Sequence, residues 1–162
     1  MCGVPYPSPM EDPESRLAEL GIVLPPPPQP RGTYVPVIVE NGLAWVSGQI
    51  TLDGNVVVQP GLVDRDVPLR DAQLLARRAT LQALSVLKAT LGSLGRVQRF
   101  VRVAVYVASS PGFARQHEVG NGATDLLVEV FGDAGRPARV SMGVASLPLN
   151  AAVEVEVVAA VA

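Results

Sequence analysis

Between Arg70 and Leu91 small residues return at alternating spacings of four and three: Ala72, Ala76, Ala79, Ala83, Val86 and Thr90. On an α-helix that spacing lays them along one narrow stripe, with Arg70, Gln73, Arg77 and Lys88 on the other side. Side chains this small let a helix backbone come close to whatever it covers. The rest of the chain supplies a sheet to be covered. Val97 to Val107 alternates as a strand does, with Val101, Val103, Val105 and Val107 on one face and Phe100, Arg102, Ala104 and Tyr106 on the other.

Further strands flank this pair of elements. Tyr34–Glu40 and Leu43–Gly48 are joined by Asn41-Gly42, the dipeptide favoured in two-residue hairpin turns. Thr51–Val58 is expected to continue the sheet past a turn at Asp53-Gly54. Val119, Ala123, Leu126, Leu127, Val130 and Phe131 recur at helical spacing, and Gly132 suits the stop. Arg139–Ser146 and Ala151–Val161 then read as strands linked through Leu147–Asn150. Two helices on one face of a mixed sheet make an α+β layout. The strands are apolar on both faces, so the uncovered face is expected to be buried by other subunits.

Residues 1–30 read as an N-terminal extension and 31–162 as the domain proper. In Glu11–Gly21, Asp12 can cap a short helix, Pro13 suits its first turn and Gly21 its end, with Leu17 and Leu20 sharing a face. Leu24–Pro30 (LPPPPQP) must be extended, because consecutive prolines fix φ and remove donors. It reads as a stiff strap; an SH3-type docking motif is the weaker alternative.

Composition excludes several functions. A net charge of −2 gives no basic face for nucleic acid. The lone Cys2 allows no internal disulfide and no cysteine-based metal site, and neither a secretory signal nor a membrane span is visible, so a cytoplasmic protein is expected. Phosphate-loop, dinucleotide, zinc and nucleophile-elbow signatures are absent, and His117, the single histidine, reads as a helix-surface residue. Polar residues set into Val-rich strands are the chemical candidates. Arg139 shares a face with Ser141 and Gly143, and Glu154 shares one with Glu156. They form either a solvated face with surface ion pairs or a guanidinium that binds a carboxylate beside a glutamate handling water. Periodicity does not say whether Arg139 and Glu154 meet.

Gly32-Thr-Tyr34-Val, Val46-Ser-Gly-Gln-Ile50, Val119-x-Asn121, and Pro137 through Pro148 followed by Val153-Glu-Val-Glu156 resemble the signature blocks of the YjgF/Rid family of reactive-intermediate deaminases, in order and spacing. The extension resembles that of a longer subfamily. The resemblance implies a chorismate-mutase-like fold and a homotrimer whose sheets form a central barrel with clefts between subunits. It implies hydrolysis of enamines and imines, such as 2-aminoacrylate, to 2-keto acids and ammonia without metal or cofactor. Arg139 would then bind the substrate carboxylate and Glu154 activate water, with Tyr34, Ser47, Gly48, Asn121 and Ser141 lining the cleft. Ser141 stands where many members carry Cys, and Gly143 where an acidic residue is common. A non-catalytic trimer that binds small carboxylates is the alternative. Ribonuclease activity is disfavoured by the acidic balance and the absence of interleaved aromatic and basic residues.

Overall fold

The computed structural model describes residues 12–162; Cys2 and the proline-rich start lie outside the described residues. The first helix, α1 (Pro13–Glu19), begins as the sequence predicts. Asp12 accepts from the Ser15 amide as N-cap, and Gly21 follows the end with φ of 66°. Leu17 is buried, but Leu20 does not share its environment. It occupies the C-cap position, past the last helical residue, and is exposed. Glu14 fixes α1 to the domain by accepting from Lys88, from the Ser93 hydroxyl and from the Leu94 amide.

Strands β1 (Val37–Glu40) and β2 (Leu43–Ile50) form the expected hairpin, with φ of 51° at Asn41 and 73° at Gly42. Residues 51–58 depart from expectation. They fold as a separate hairpin, β3 (Leu52–Asp53) with β4 (Val56–Val57), outside the main sheet. Helix α2 (Leu69–Leu91), strand β5 (Val97–Ala108), helix α3 (Gln116–Phe131), strand β6 (Ala138–Val144) and strand β7 (Val153–Val161) complete the chain. The main sheet runs β1-β2-β7-β5-β6, antiparallel except for the parallel β5–β6 pair.

Helix α2 covers β2 and β7, while α3 covers β5 and β6, so both lie on one face as anticipated. The alanine stripe is buried from Ala72 to Val86, but Thr90 is exposed and Leu87 and Leu91 take its place. A repeat averaging 3.5 residues drifts around a helix with 3.6 per turn, by about 20° every seven residues, and over this length the stripe leaves the sheet. The polar side of α2 meets α3: Gln73 donates to the Glu118 carbonyl and Arg77 pairs with Glu129. The helices nearly touch at Gly122, where an added Cβ would collide with the Gln73 backbone carbonyl.

Alternation misassigns one stretch of β5. Phe100 is fully buried among the core residues and meets Phe131 edge-on at 4.9 Å, whereas Val101 is 40% exposed. A bulge between Phe100 and Arg102 inserts Val101 as an extra residue against β7 and reverses the parity on its two sides. Beyond the bulge, Val103, Val105 and Val107 face the helices as expected. The opposite sheet face carries exposed Ile38, Trp45 and Met142, along with an ion pair between Arg102 and Glu156 at 2.8 Å. Among the described residues no helix is long and apolar enough to cross a membrane.

Candidate functional site

The predicted residues fall into two groups. The first surrounds Arg139 on the edge strand β6. Its Nη1 donates to Asn121 Oδ1 and Thr124 Oγ1, both at 2.9 Å, and its Nη2 donates to the His117 carbonyl at 3.1 Å. Asn121 and Thr124 lie three apart on α3 and therefore present side chains to the same strip of sheet. No carboxylate pairs with Arg139 among the described residues; Glu156, on the opposite face, pairs with Arg102. Arg139 is exposed, as a solvated strand face requires, but it makes no surface ion pair among the described residues. Ser141, two residues on, shares this face, and its buried hydroxyl has no hydrogen-bond partner among the described residues. Gly120 makes the close approach possible, since an added Cβ would strike Ser141 Oγ and crowd the Arg139 guanidinium at 3.3 Å.

The second group lines a cleft of about 380 Å³ on the other side of the sheet: Tyr34, Ser47, Gly48 and Glu154, with Pro148 and Leu149. A bulge between Val46 and Gln49 places Gly48 against Glu154, where a Cβ would overlap the carboxylate. Gln49 folds back to donate to the Ser47 carbonyl and hydroxyl at 3.0 and 3.2 Å. Glu154 is half-buried, and its carboxyl is held above the ordinary range, first by burial and then by the neighbouring charge of Glu156.

Arg139 and Glu154 do not face each other within one chain. Arg139 stands in the row Val46–Val157–Val103–Arg139, and Glu154 in the row Ile50–Glu154–Tyr106–Met142. The rows are three residues apart along β7, and odd separations point to opposite faces. Arg139 therefore looks toward α3 at one edge, while Glu154 looks away from the helices. His117 is exposed as expected, but its carbonyl helps hold Arg139. The sequence reading misses Thr124 and Gly120; the signal that finds them is helical spacing, Thr124 lying three residues after Asn121 and four after Gly120. The larger groove, about 690 Å³ between α1, the strap and α2, contains none of the predicted site residues. Among the described residues no three His, Cys, Asp or Glu side chains cluster as metal ligands would.

A mixed five-stranded sheet with two helices on one face, a polar cluster around Arg139 at its edge and a cleft beside Glu154 on the open face define an α+β protein. The family model described as Endoribonuclease L-PSP matches residues 26–161, and the chain belongs to that family, the YjgF/Rid family. Protein TCP17 of Trypanosoma cruzi is 41% identical over 143 residues, covering 88% of this chain and 89% of that protein. The crystal structure of the protein Atu1372 from Agrobacterium tumefaciens, of unknown function, is 39% identical with a TM-score of 0.85, over 93% of this chain and 92% of that one. The RutC family protein PH0854 of Pyrococcus horikoshii is 28% identical over 135 residues, covering 82% of this chain and 90% of that protein.

Proposed function

We propose that this protein is a cofactor-free enamine/imine deaminase that works as a homotrimer of chorismate-mutase-like subunits, each cleft completed by two of them. The observation that carries this reading is Arg139, a guanidinium held at a sheet edge by neutral partners and free of any carboxylate among the described residues. Such a group is prepared for a bidentate anion. Because Glu154 faces the other way, a second copy would bring its Glu154 cleft to the Arg139 edge. The exposed Ile38, Trp45 and Met142 on the open sheet face support such burial, and their side chains would line the barrel interior.

In this reading the substrate carboxylate lies on Arg139, and Asn121 and Thr124 fix the angle of the guanidinium. The enamine takes a proton on carbon to become the imine. Water then adds to the imine carbon, the C–N bond breaks, and nitrogen leaves as ammonia with the 2-keto acid as co-product. Glu154, with its raised proton affinity, accepts a proton from the attacking water and returns it to the leaving nitrogen. Enamines and imines hydrolyse unaided, so positioning and exclusion of bulk water are enough to accelerate the step. The chemistry fits a cytoplasmic scavenger of intermediates escaping amino-acid-metabolising enzymes. Ser141 in place of a thiol is compatible, because no step uses a thiol nucleophile.

The test is release of keto acid and ammonia from enamine freshly generated by a serine or threonine dehydratase, beside a no-protein control. Acceleration that is lost in Arg139→Ala is the expected result. Rates equal to the control across small and bulky enamines would overturn the deaminase reading and leave the carboxylate-binding trimer.

A further inference from the structure

The proline-rich strap does more than join α1 to the domain. The Ser85 hydroxyl, itself buried on α2, donates to the Pro25 carbonyl at 2.6 Å and pins the strap to the helix. The chain then continues so that Pro28, Gln29, Pro30 and Arg31 line the Glu154 cleft. Prolines hold this wall extended without help from a hydrogen-bond ladder. The Arg31 amide donates to Tyr34 Oη at 3.4 Å, which ties the end of the strap to a predicted cleft residue.

Arg31 brings a charge to this wall. Its Nη2 donates to Asn55 at the tip of the β3–β4 hairpin, to the carbonyl at 3.2 Å and to Oδ1 at 3.3 Å. Both acceptors are neutral, and both distances exceed the roughly 2.7–2.9 Å of charge-assisted pairs. Its Nε and Nη1 make no hydrogen bond, and no carboxylate pairs with it among the described residues. Glu154 lines the same cleft but makes no hydrogen bond or ion pair with Arg31. The guanidinium is therefore parked on weak neutral contacts with donors to spare, at little cost to redirect.

We propose that Arg31 is a specificity-determining residue that receives a second anionic group, so that the cleft prefers 2-imino and 2-keto acids bearing an acidic side chain over those with an apolar one. This rests on the deaminase reading for the first carboxylate, which belongs to Arg139 of a second copy. A dicarboxylate would then span two guanidinium groups, one on the sheet edge and one on the strap. A monocarboxylate leaves Arg31 on Asn55 and gains nothing from it.

Calorimetric titration of the full chain with 2-oxoglutarate and with 2-oxobutanoate tests this. The wild-type chain should bind the dicarboxylate about ten- to hundredfold more tightly, the ratio expected of one added charge-assisted contact. That ratio should fall toward one in Arg31→Gln and recover in part in Arg31→Lys, with unchanged thermal melts because Arg31 is exposed. Equal affinities in the wild type, or a ratio that survives in Arg31→Gln, would overturn the role of Arg31 while leaving the deaminase reading intact. Failure of both ligands to bind the wild-type chain would overturn the carboxylate-cleft reading and this inference with it.

Discussion

Gly48→Ala separates the placement of Glu154 from the stability of the fold. The backbone at Gly48 is not in the left-handed region, so alanine can adopt it without torsional strain. The new methyl would land on the Glu154 carboxylate, which is the movable end of a flexible side chain, not on backbone. Replacing glycine at a compatible position stabilises by about 0.4–1 kcal/mol through the unfolded chain. Swinging Glu154 outward costs packing but also relieves burial of its carboxyl, so net stability should change by less than about 1 kcal/mol. Catalysis should respond quite differently. A methyl group displaces the carboxylate by more than an ångström, and misplacement on that scale costs about a hundredfold in rate. Thermal melts and steady-state kinetics on dehydratase-generated enamine measure the two effects. The expected outcome is a near-native Tm, kcat lowered about a hundredfold and KM little changed, because Arg139 still holds the substrate. A folded Gly48→Ala variant with wild-type kcat would refute the assignment of Glu154 to the water.

Gly122→Ala should show the reverse pattern, because there the added Cβ meets the Gln73 backbone carbonyl, which cannot move without parting α2 from α3; a loss of about 1–3 kcal/mol in urea unfolding is expected. Glu154→Gln should stabilise the protein in a pH-dependent way. The wild-type native state retains a proton that the unfolded chain releases, so wild-type stability falls as pH rises from the ordinary carboxyl value of 4.5 through the raised native one. The advantage of Glu154→Gln should be absent below pH 4.5 and full above that window, read from melts across pH. Mixing inactive Arg139→Ala and Glu154→Gln chains through unfolding and refolding should restore about one quarter of wild-type activity, since in random trimers that fraction of clefts joins an intact arginine to an intact glutamate. No recovery, with mixed trimers present by mass, would place both residues in one subunit's site.

Much of this architecture is legible along the chain because local rules act there without competition. The Asn41-Gly42 turn, the α1 caps at Asp12 and Gly21, and the small-residue face of α2 follow from backbone preference and helical period. The signature blocks around Arg139 and Glu154 likewise name the chemical groups and their strands before any coordinates are considered. Period-two alternation also groups Arg139 with Ser141 and, separately, Glu154 with Glu156, and both pairs are intact in the fold.

Where alternation fails, pairing between strands is the reason. The bulge at Val101 exists only because β5 lies against β7 with one residue too many, and it exchanges the environments of Phe100 and Val101. Residues 51–58 turn at Asp53-Gly54 as the sequence indicates, yet they close on themselves as a small hairpin and do not join the main sheet. Register also decides the most consequential point. Each group of residues is written locally, but only the β7–β5–β6 pairing puts Arg139 and Glu154 on opposite faces, because relative orientation depends on which residues of distant segments are aligned. The strap is the last example. Its prolines dictate extended chain from sequence alone, but the cleft it walls, and therefore the position of Arg31, comes from where Ser85 and Asn55 hold it in three dimensions.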